Sequence, residues 1–185
     1  MTEARMRWIG KIALLSLAAA APASAQVLWL GLADGTSWEW QAKTAPGQNF
    51  LHNDQQAPSV FIALPITEDT LFRLRAADVP HDVAINGASW PGKLRAYTAG
   101  VDYFLQGVFG ESVFSGGVGS YRQSLQARQP PAGFADTKLG WYVSVGEWFN
   151  LTRHSRVIGE VTMNRTEHQG GTTVVVASLG LAVAF

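Results

Sequence analysis

From Thr172 to Phe185 the chain separates cleanly into two faces at every second residue. One carries Thr173, Val175, Ala177, Leu179, Leu181, Val183 and Phe185; the other carries Thr172, Val174, Val176, Ser178, Gly180, Ala182 and Ala184. Period-two alternation is the signature of a strand. In a half-buried strand of a soluble sandwich, the alternative reading, the second face meets water and is charged or strongly polar. Here it is small. Small side chains on one face and large apolar ones on the other fit a narrow closed barrel whose outer wall faces lipid. The same alternation returns upstream, with charge confined to one side. Val157, Gly159, Val161 and Met163 oppose Ile158, Glu160, Thr162 and Asn164, while Tyr97, Ala99, Val101, Tyr103 and Leu105 oppose Thr98, Gly100, Asp102 and Phe104. Leu139, Trp141 and Val143 oppose Lys138, Gly140, Tyr142 and Ser144, and Phe72, Leu74 and Ala76 oppose Arg73 and Arg75. A mid-plane arginine on a lipid face costs about 2 to 4 kcal/mol, so the charged faces are assigned to the lumen.

The spacing predicts eight strands, over 27–42, 58–65, 70–78, 93–105, 112–125, 137–148, 155–166 and 172–185. The Asp34-Gly35 pair interrupts the first of them and reads as a bulge or turn. Connections alternate in length. Lys43 to Ala57, Val79 to Gly92 and Gln126 to Asp136 are long and rich in proline and polar residues, whereas Ile66 to Asp69, Gln106 to Glu111 and Phe149 to His154 are short. Long loops at one end and short turns at the other are the build of an outer-membrane barrel, with the short turns and the C-terminus in the periplasm and the long loops extracellular. The fold class is therefore all-β, a closed antiparallel up-and-down transmembrane β-barrel.

The first 25 residues stand apart. Arg5, Arg7 and Lys11 make a positive start, Ile12 to Ala21 an apolar stretch too short to span a bilayer, and Ala23-Ser24-Ala25 a small-residue cleavage site. They read as a secretory signal peptide (1–25) preceding a barrel domain (26–185) that begins at Gln26. Its removal leaves 11 basic residues against 13 acidic ones, where the whole chain balances at 14 and 14. Only 15% of the chain is charged, against about 25% in ordinary soluble domains, and the mean hydropathy is +0.05. This balance argues against nucleic-acid partners, which demand a basic patch. Without cysteine, no disulfide secures an exported chain.

Seven Trp, four Tyr and nine Phe are many for such a chain. Trp148, Phe149, Tyr103, Phe104, Phe109 and Phe185 are expected in the periplasmic girdle, and Trp38, Trp40, Trp90 and Tyr97 at the opposite interface. The stretches YTAGVDYFLQGVFGESVFSGGVGSYR (97–122), KLGWYVSVGEWFNLT (138–152), RVIGEVTMNR (156–165) and the Phe-terminated VVVASLGLAVAF resemble the small bacterial outer-membrane β-barrel proteins of the OmpA/OmpX-type membrane-domain superfamily. The resemblance covers about half the chain. It implies eight strands and insertion by the barrel-assembly machinery, which in that family reads a terminal aromatic such as Phe185. Members of such a fold serve structural, adhesive, immune-evading or lipid-modifying roles, so fold alone does not set the task.

Candidate chemistry is sparse. His154 and Ser155 are adjacent, as in a lipid A deacylase reading, but neighbours on a strand point to opposite faces, which opposes a Ser–His hydrogen bond. His52 with Asp54, or His81 with Asp82 and Ser89, would supply an acyltransferase-like extracellular site; solvated loop polar groups are the alternative. His168 beside Glu167 reads as an exposed loop tip. The histidines lack metal-ligand spacing. Gly116-Gly117-x-Gly119 lacks the following Lys-Ser/Thr of a phosphate loop and fits a strand passing a large inward side chain. Sequons at Asn150 and Asn164 fall at a turn and a strand end. Arg73, Arg75, Arg95, Asp102, Arg122 and Glu160 are assigned to the lumen, where Asp102 and Glu160 neutralise arginines.

The expectation from sequence is therefore a monomeric, non-enzymatic outer-membrane protein with no catalytic residue, cofactor or metal. Its partners are outer-membrane lipids and lipopolysaccharide, the assembly machinery, and an unspecified partner of the loops. An outer-leaflet lipid A deacylase or acyltransferase, and a secreted soluble β-barrel, are the alternatives.

Overall fold

A computed structural model describes residues 28–41, 49–52, 56–85, 88–106, 110–125, 136–168 and 171–185. The proposed signal peptide, Phe109, Asp54 and most of the 126–136 link lie outside the described residues, as do the side chains of Trp40, His52, Asp82, Ser89 and Trp90. The strands are β1 (Trp29–Gln41), β2 (Asn49–His52), β3 (Ser59–Thr67), β4 (Thr70–Ile85), β5 (Ala88–Gln106), β6 (Glu111–Leu125), β7 (Thr137–Asn150), β8 (Ser155–Thr166) and β9 (Thr172–Ala184).

Consecutive strands from β3 to β9 pair antiparallel, and β9 returns to pair with β1 from Trp29↔Ala184 to Gln41↔Thr172. The sheet thus closes on itself and leaves no long edge to be covered. On its other side β1 has two partners in succession. Trp29 to Ala33 pair with β3, and Ser37 to Trp40 pair with β2. β2 and β3 are two pieces of one stave, so nine strands make an eight-stave barrel.

The change of partner falls at Asp34-Gly35. Rather than turning there, β1 continues unbroken along β9, with Asp34↔Leu179 and Gly35↔Ser178 in register. Gly35 O accepts a hydrogen bond from Ala57 N at 3.0 Å, which bridges the gap between β2 and β3. The expected long link from Lys43 to Ala57 therefore contains a strand. The link from Val79 to Gly92 is corrected further, because β4 runs on to Ile85 and β5 begins at Ala88, paired throughout as an antiparallel ribbon. β6 joins β5 only from Gly92 onward. The prolines that marked this segment as a loop sit within the ribbon, Pro80 opposite Lys93 and Pro91 opposite Asp82. Proline is tolerated where its missing N–H faces away from a partner strand.

The outer wall is apolar, as its alternation requires: Val60, Ile62, Leu74, Val101, Phe114, Val118, Leu139, Val143, Val161, Leu179 and Leu181 are all exposed. The small face of β9 lies inward, with Val174, Val176, Ala182 and Ala184 buried. Two of the expected girdle aromatics are turned the other way. Trp148 and Phe104 point into the lumen and stack with Trp29 and Phe61, Trp148 meeting Phe104 edge-on at 5.2 Å and Trp29 at 6.0 Å between centroids. Parity decides this: Tyr103 and Phe149, each one residue away, are the ones that face outward and are exposed. Periodicity assigns a residue to a face more securely than membership of an aromatic cluster does.

Glycines make room for the largest inward rings. Tyr142 lies across Gly117 and Gly100, and the Tyr121 ring covers Gly140; a methyl group at these glycines would collide with ring or strand atoms. The Gly116-Gly117-x-Gly119 run is thus part of β6, where the sequence placed it, and serves packing.

Candidate functional site

Inside the barrel the side chains form a polar layer between two apolar ones. Toward the short turns lies a cluster of Trp29, Phe61, Ala63, Leu71, Phe104, Val113, Trp148, Ile158, Ala182 and Ala184. Arg156 caps it, its guanidinium 4.7 Å from the centre of the Trp29 ring and paired with Glu111. Toward the long loops lies a second cluster that includes Val79, Leu94, Ala96, Tyr121, Val174 and Val176.

Between them sits an ion network drawn from four staves. Glu160 Oε2 accepts from Arg73 Nη1 at 2.7 Å and Glu160 Oε1 from Arg75 Nη1 at 2.5 Å. Thr162 donates to the same Glu160 Oε1 at 2.7 Å. Arg73 Nη2 donates to Ser115 Oγ at 2.9 Å and lies 3.0 Å from Asp102 Oδ1. Two arginines and two carboxylates cancel. Charges this deeply buried are tolerable only when paired and hydrogen-bonded, and their linkage from β4 across to β8 ties opposite walls together.

Arg95 and Arg122 do not join this network. They belong to the opposite pleat parity and face outward near the long-loop end, where Arg95 is 55% exposed and its Nε donates to Asp78 Oδ1 at 2.7 Å. The charged-face rule holds for the apolar band; above it the outer wall is polar again, so charge no longer reports direction.

The histidines are arranged differently from expectation. His81, read as a loop residue, is in β4 and fully buried, as is Glu39 of β1, whose Oε2 lies 2.9 Å from His81 Nδ1. Gln123 Nε2 is 2.6 Å from His81 Nε2. The ring is thus held between the Gln123 amide at Nε2 and the Glu39 carboxylate beside Nδ1. Both His81 and Glu39 are sealed from solvent and Nε2 is taken by Gln123, so the imidazole lies where no substrate reaches it to use it as a general base. Ser37, the nearest hydroxyl on β1, is engaged with Pro80 O at 3.0 Å. The sequence signal for Glu39 was present in its alternation with Trp38 and Trp40, yet the suspected interruption at Asp34-Gly35 obscured it.

His168 is likewise not an exposed tip; it is 2% exposed, and its Nε2–H donates to Tyr121 O at 2.9 Å. Burial pushes its pKa below the usual histidine value. His154 and Ser155 do occupy a short turn, at the start of β8. The Ser155 hydroxyl pairs with Thr152 Oγ1 at 2.6 Å, and His154 N donates to the same Thr152 oxygen at 3.1 Å. The turn is organised by Thr152. Asn150 ends β7 and is exposed, while Asn164 is buried in the lumen, accepting from Tyr121 Oη at 3.2 Å.

No protein-family model and no curated protein sequence matches the chain. Solved structures do. Neisserial surface protein A is 14% identical with a TM-score of 0.69, over 85% of this chain and 97% of that one. The N-terminal barrel domain of Pseudomonas aeruginosa OprF is 14% identical at a TM-score of 0.57, covering 86% and 98%. Ail, the attachment invasion locus protein of Yersinia pestis, is 12% identical at 0.54, covering 87% and 100%. The chain has the fold of these small eight-stranded outer-membrane β-barrels, the closed antiparallel up-and-down barrel expected from its sequence.

Proposed function

We propose that this protein is a monomeric, non-enzymatic resident of the bacterial outer membrane, acting through the surface it presents at its long-loop end. The observation that carries the reading is the occluded lumen: an aromatic layer, an ion network and a second apolar layer follow one another along the axis. A barrel filled in this way offers solutes no continuous aqueous path. The His154–Ser155 pair is committed to a turn and the His81 imidazole is sealed, which favours an interaction role over lipid A deacylation or acyl transfer. One similar barrel, Ail, is named for attachment and invasion. Export with a cleaved signal peptide, insertion by the barrel-assembly machinery, periplasmic short turns and extracellular long loops complete the reading, in which lipopolysaccharide is the immediate neighbour.

The test is mass spectrometry of lipid A from outer membranes with and without the protein, alongside conductance of the purified barrel in planar bilayers. Unchanged acylation and closed bilayers are the expected results. Acylation that changes with expression and reverts on His81→Ala establishes the enzymatic alternative instead, and steady conductance overturns the occluded lumen. Recovery as a soluble monomer without detergent overturns the membrane reading altogether.

A further inference from the structure

At the long-loop end the outer wall of β4, β5 and β6 carries an imbalance of charge. Arg95 and Arg122 are direct register partners on neighbouring strands, and both point outward with exposed side chains. Lys93 shares their face two residues further along β5. Like charges placed opposite one another across a sheet repel. Asp78, in register with Arg95 on its other side, supplies one counter-charge through Oδ1 at 2.7 Å and Oδ2 at 3.2 Å. Asp136, the next carboxylate along the rim, is held by Lys138 at 3.2 Å. Among the described residues, Arg122 and the Lys93 ammonium make no ion pair. Among the described side chains the row thus holds three cations against one carboxylate, which Arg95 engages through Nε and Nη2.

A shallow depression of about 250 Å³ opens beside this row, lined by residues that include Pro58, Val60, Ala76, Asp78, Arg95 and Tyr97. It lies where Pro58 and Ser59 lead into β3 beside Ala77 and Asp78 of β4. Below it the surface becomes wholly apolar, with Val60, Ile62, Leu74 and Val101 exposed, and Val118 and Leu139 beneath Arg122 among the most exposed apolar side chains of the protein. Cations over a notch over an apolar wall match, in order, the phosphate, headgroup and acyl chains of a lipid standing upright beside the barrel.

We infer that Lys93, Arg95 and Arg122 form a binding site for the phosphorylated headgroup of a lipid in the leaflet at the long-loop end, with the Val60–Ala76–Tyr97 notch receiving the parts of the headgroup next to the acyl chains. The repulsion between Arg95 and Arg122 is relieved by the phosphate they share. The site deepens the outer-membrane reading and rests on it.

The experiment titrates the full-length purified barrel in detergent micelles with bisphosphorylated lipid A, with the same lipid dephosphorylated, and with inorganic phosphate, read by native mass spectrometry. One bisphosphorylated lipid A is retained per barrel, and neither other probe competes for it. Each cation contributes roughly fivefold to affinity, so Arg95→Gln with Arg122→Gln weakens retention roughly 25-fold while heat-modifiable gel migration stays as in the parent. Lys93→Gln alone weakens it roughly fivefold. Equal retention of the dephosphorylated lipid, indifference to the substitutions, or displacement by inorganic phosphate at matched concentration overturns the lipid site and leaves the outer-membrane reading standing. A chain that never becomes heat-modifiable in micelles or lipid overturns both.

Discussion

Glu160 is the residue on which the interior turns, because one carboxylate holds two guanidinium groups that reach it from the opposite wall. Glu160→Gln keeps the shape and a hydrogen-bonding amide, yet leaves Arg73 and Arg75 with Asp102 as their remaining counter-charge. Breaking a buried pair from one side costs about 3 to 5 kcal/mol. The folded form should accordingly lose its heat-modifiable migration at a clearly lower temperature, and an unchanged transition removes Glu160 from the network. His168 makes a prediction with the opposite chemistry. Its buried imidazole, donating to Tyr121 O, is held below the ordinary histidine value of 6.5, so the unfolded chain binds more protons as pH falls below that value. Stability is fully present above it and declines beneath it. His168→Gln, which still donates to the carbonyl, should flatten the slope of unfolding midpoint against pH in that window.

At the scale of strands, glycine placement sets what can lie against what. A Cβ on Gly117 would lie 2.6 Å from the Gly100 Cα of the next strand and 2.7 Å from the Tyr142 ring, whereas one on Gly159 would meet nothing within 4 Å. Gly117→Val should therefore abolish or severely lower refolding yield, overpacking costing about 1 to 3 kcal/mol or more, and Gly159→Ala should refold as the parent does. All eight staves could be read from the sequence, though not the β2 piece of one of them, because alternation survives wherever one wall meets lipid and the other meets the lumen. Reading failed where that contrast vanishes. In the β4–β5 ribbon beyond Gly92 the strands leave the barrel, and prolines and polar residues there look the same as a loop. The inward pair Arg73 and Arg75 was legible because it alternates with the apolar outward face of Phe72, Leu74 and Ala76; Arg95 and Arg122 were misassigned because the wall around them is polar. The buried His81–Glu39–Gln123 set comes from β1, β4 and β6, and nothing local in any one of those strands announces the other two.

For the whole molecule, the low charge content is a statement about area. Among the described residues, charge is absent from the broad apolar belt, is paired in the Arg73–Arg75–Asp102–Glu160 network inside, and gathers at the rims. The seam that completes the belt joins the two ends of the described barrel: Leu28 and Phe185 exchange a pair of backbone hydrogen bonds, Phe185 N to Leu28 O at 2.9 Å and Leu28 N to Phe185 O at 3.4 Å. Geometrically this seam is one more hairpin that happens to lack its connecting turn. The order in which the staves are written along the gene is therefore separable from the order in which they stand around the axis. A circularly permuted chain, with a short turn linking 185 to 28 and new ends opened between β6 and β7, should refold into a heat-modifiable barrel with the parent's registers. Comparing its insertion in vesicles with its insertion by cellular machinery would separate what the closed sheet requires from what a C-terminal strand ending in phenylalanine contributes.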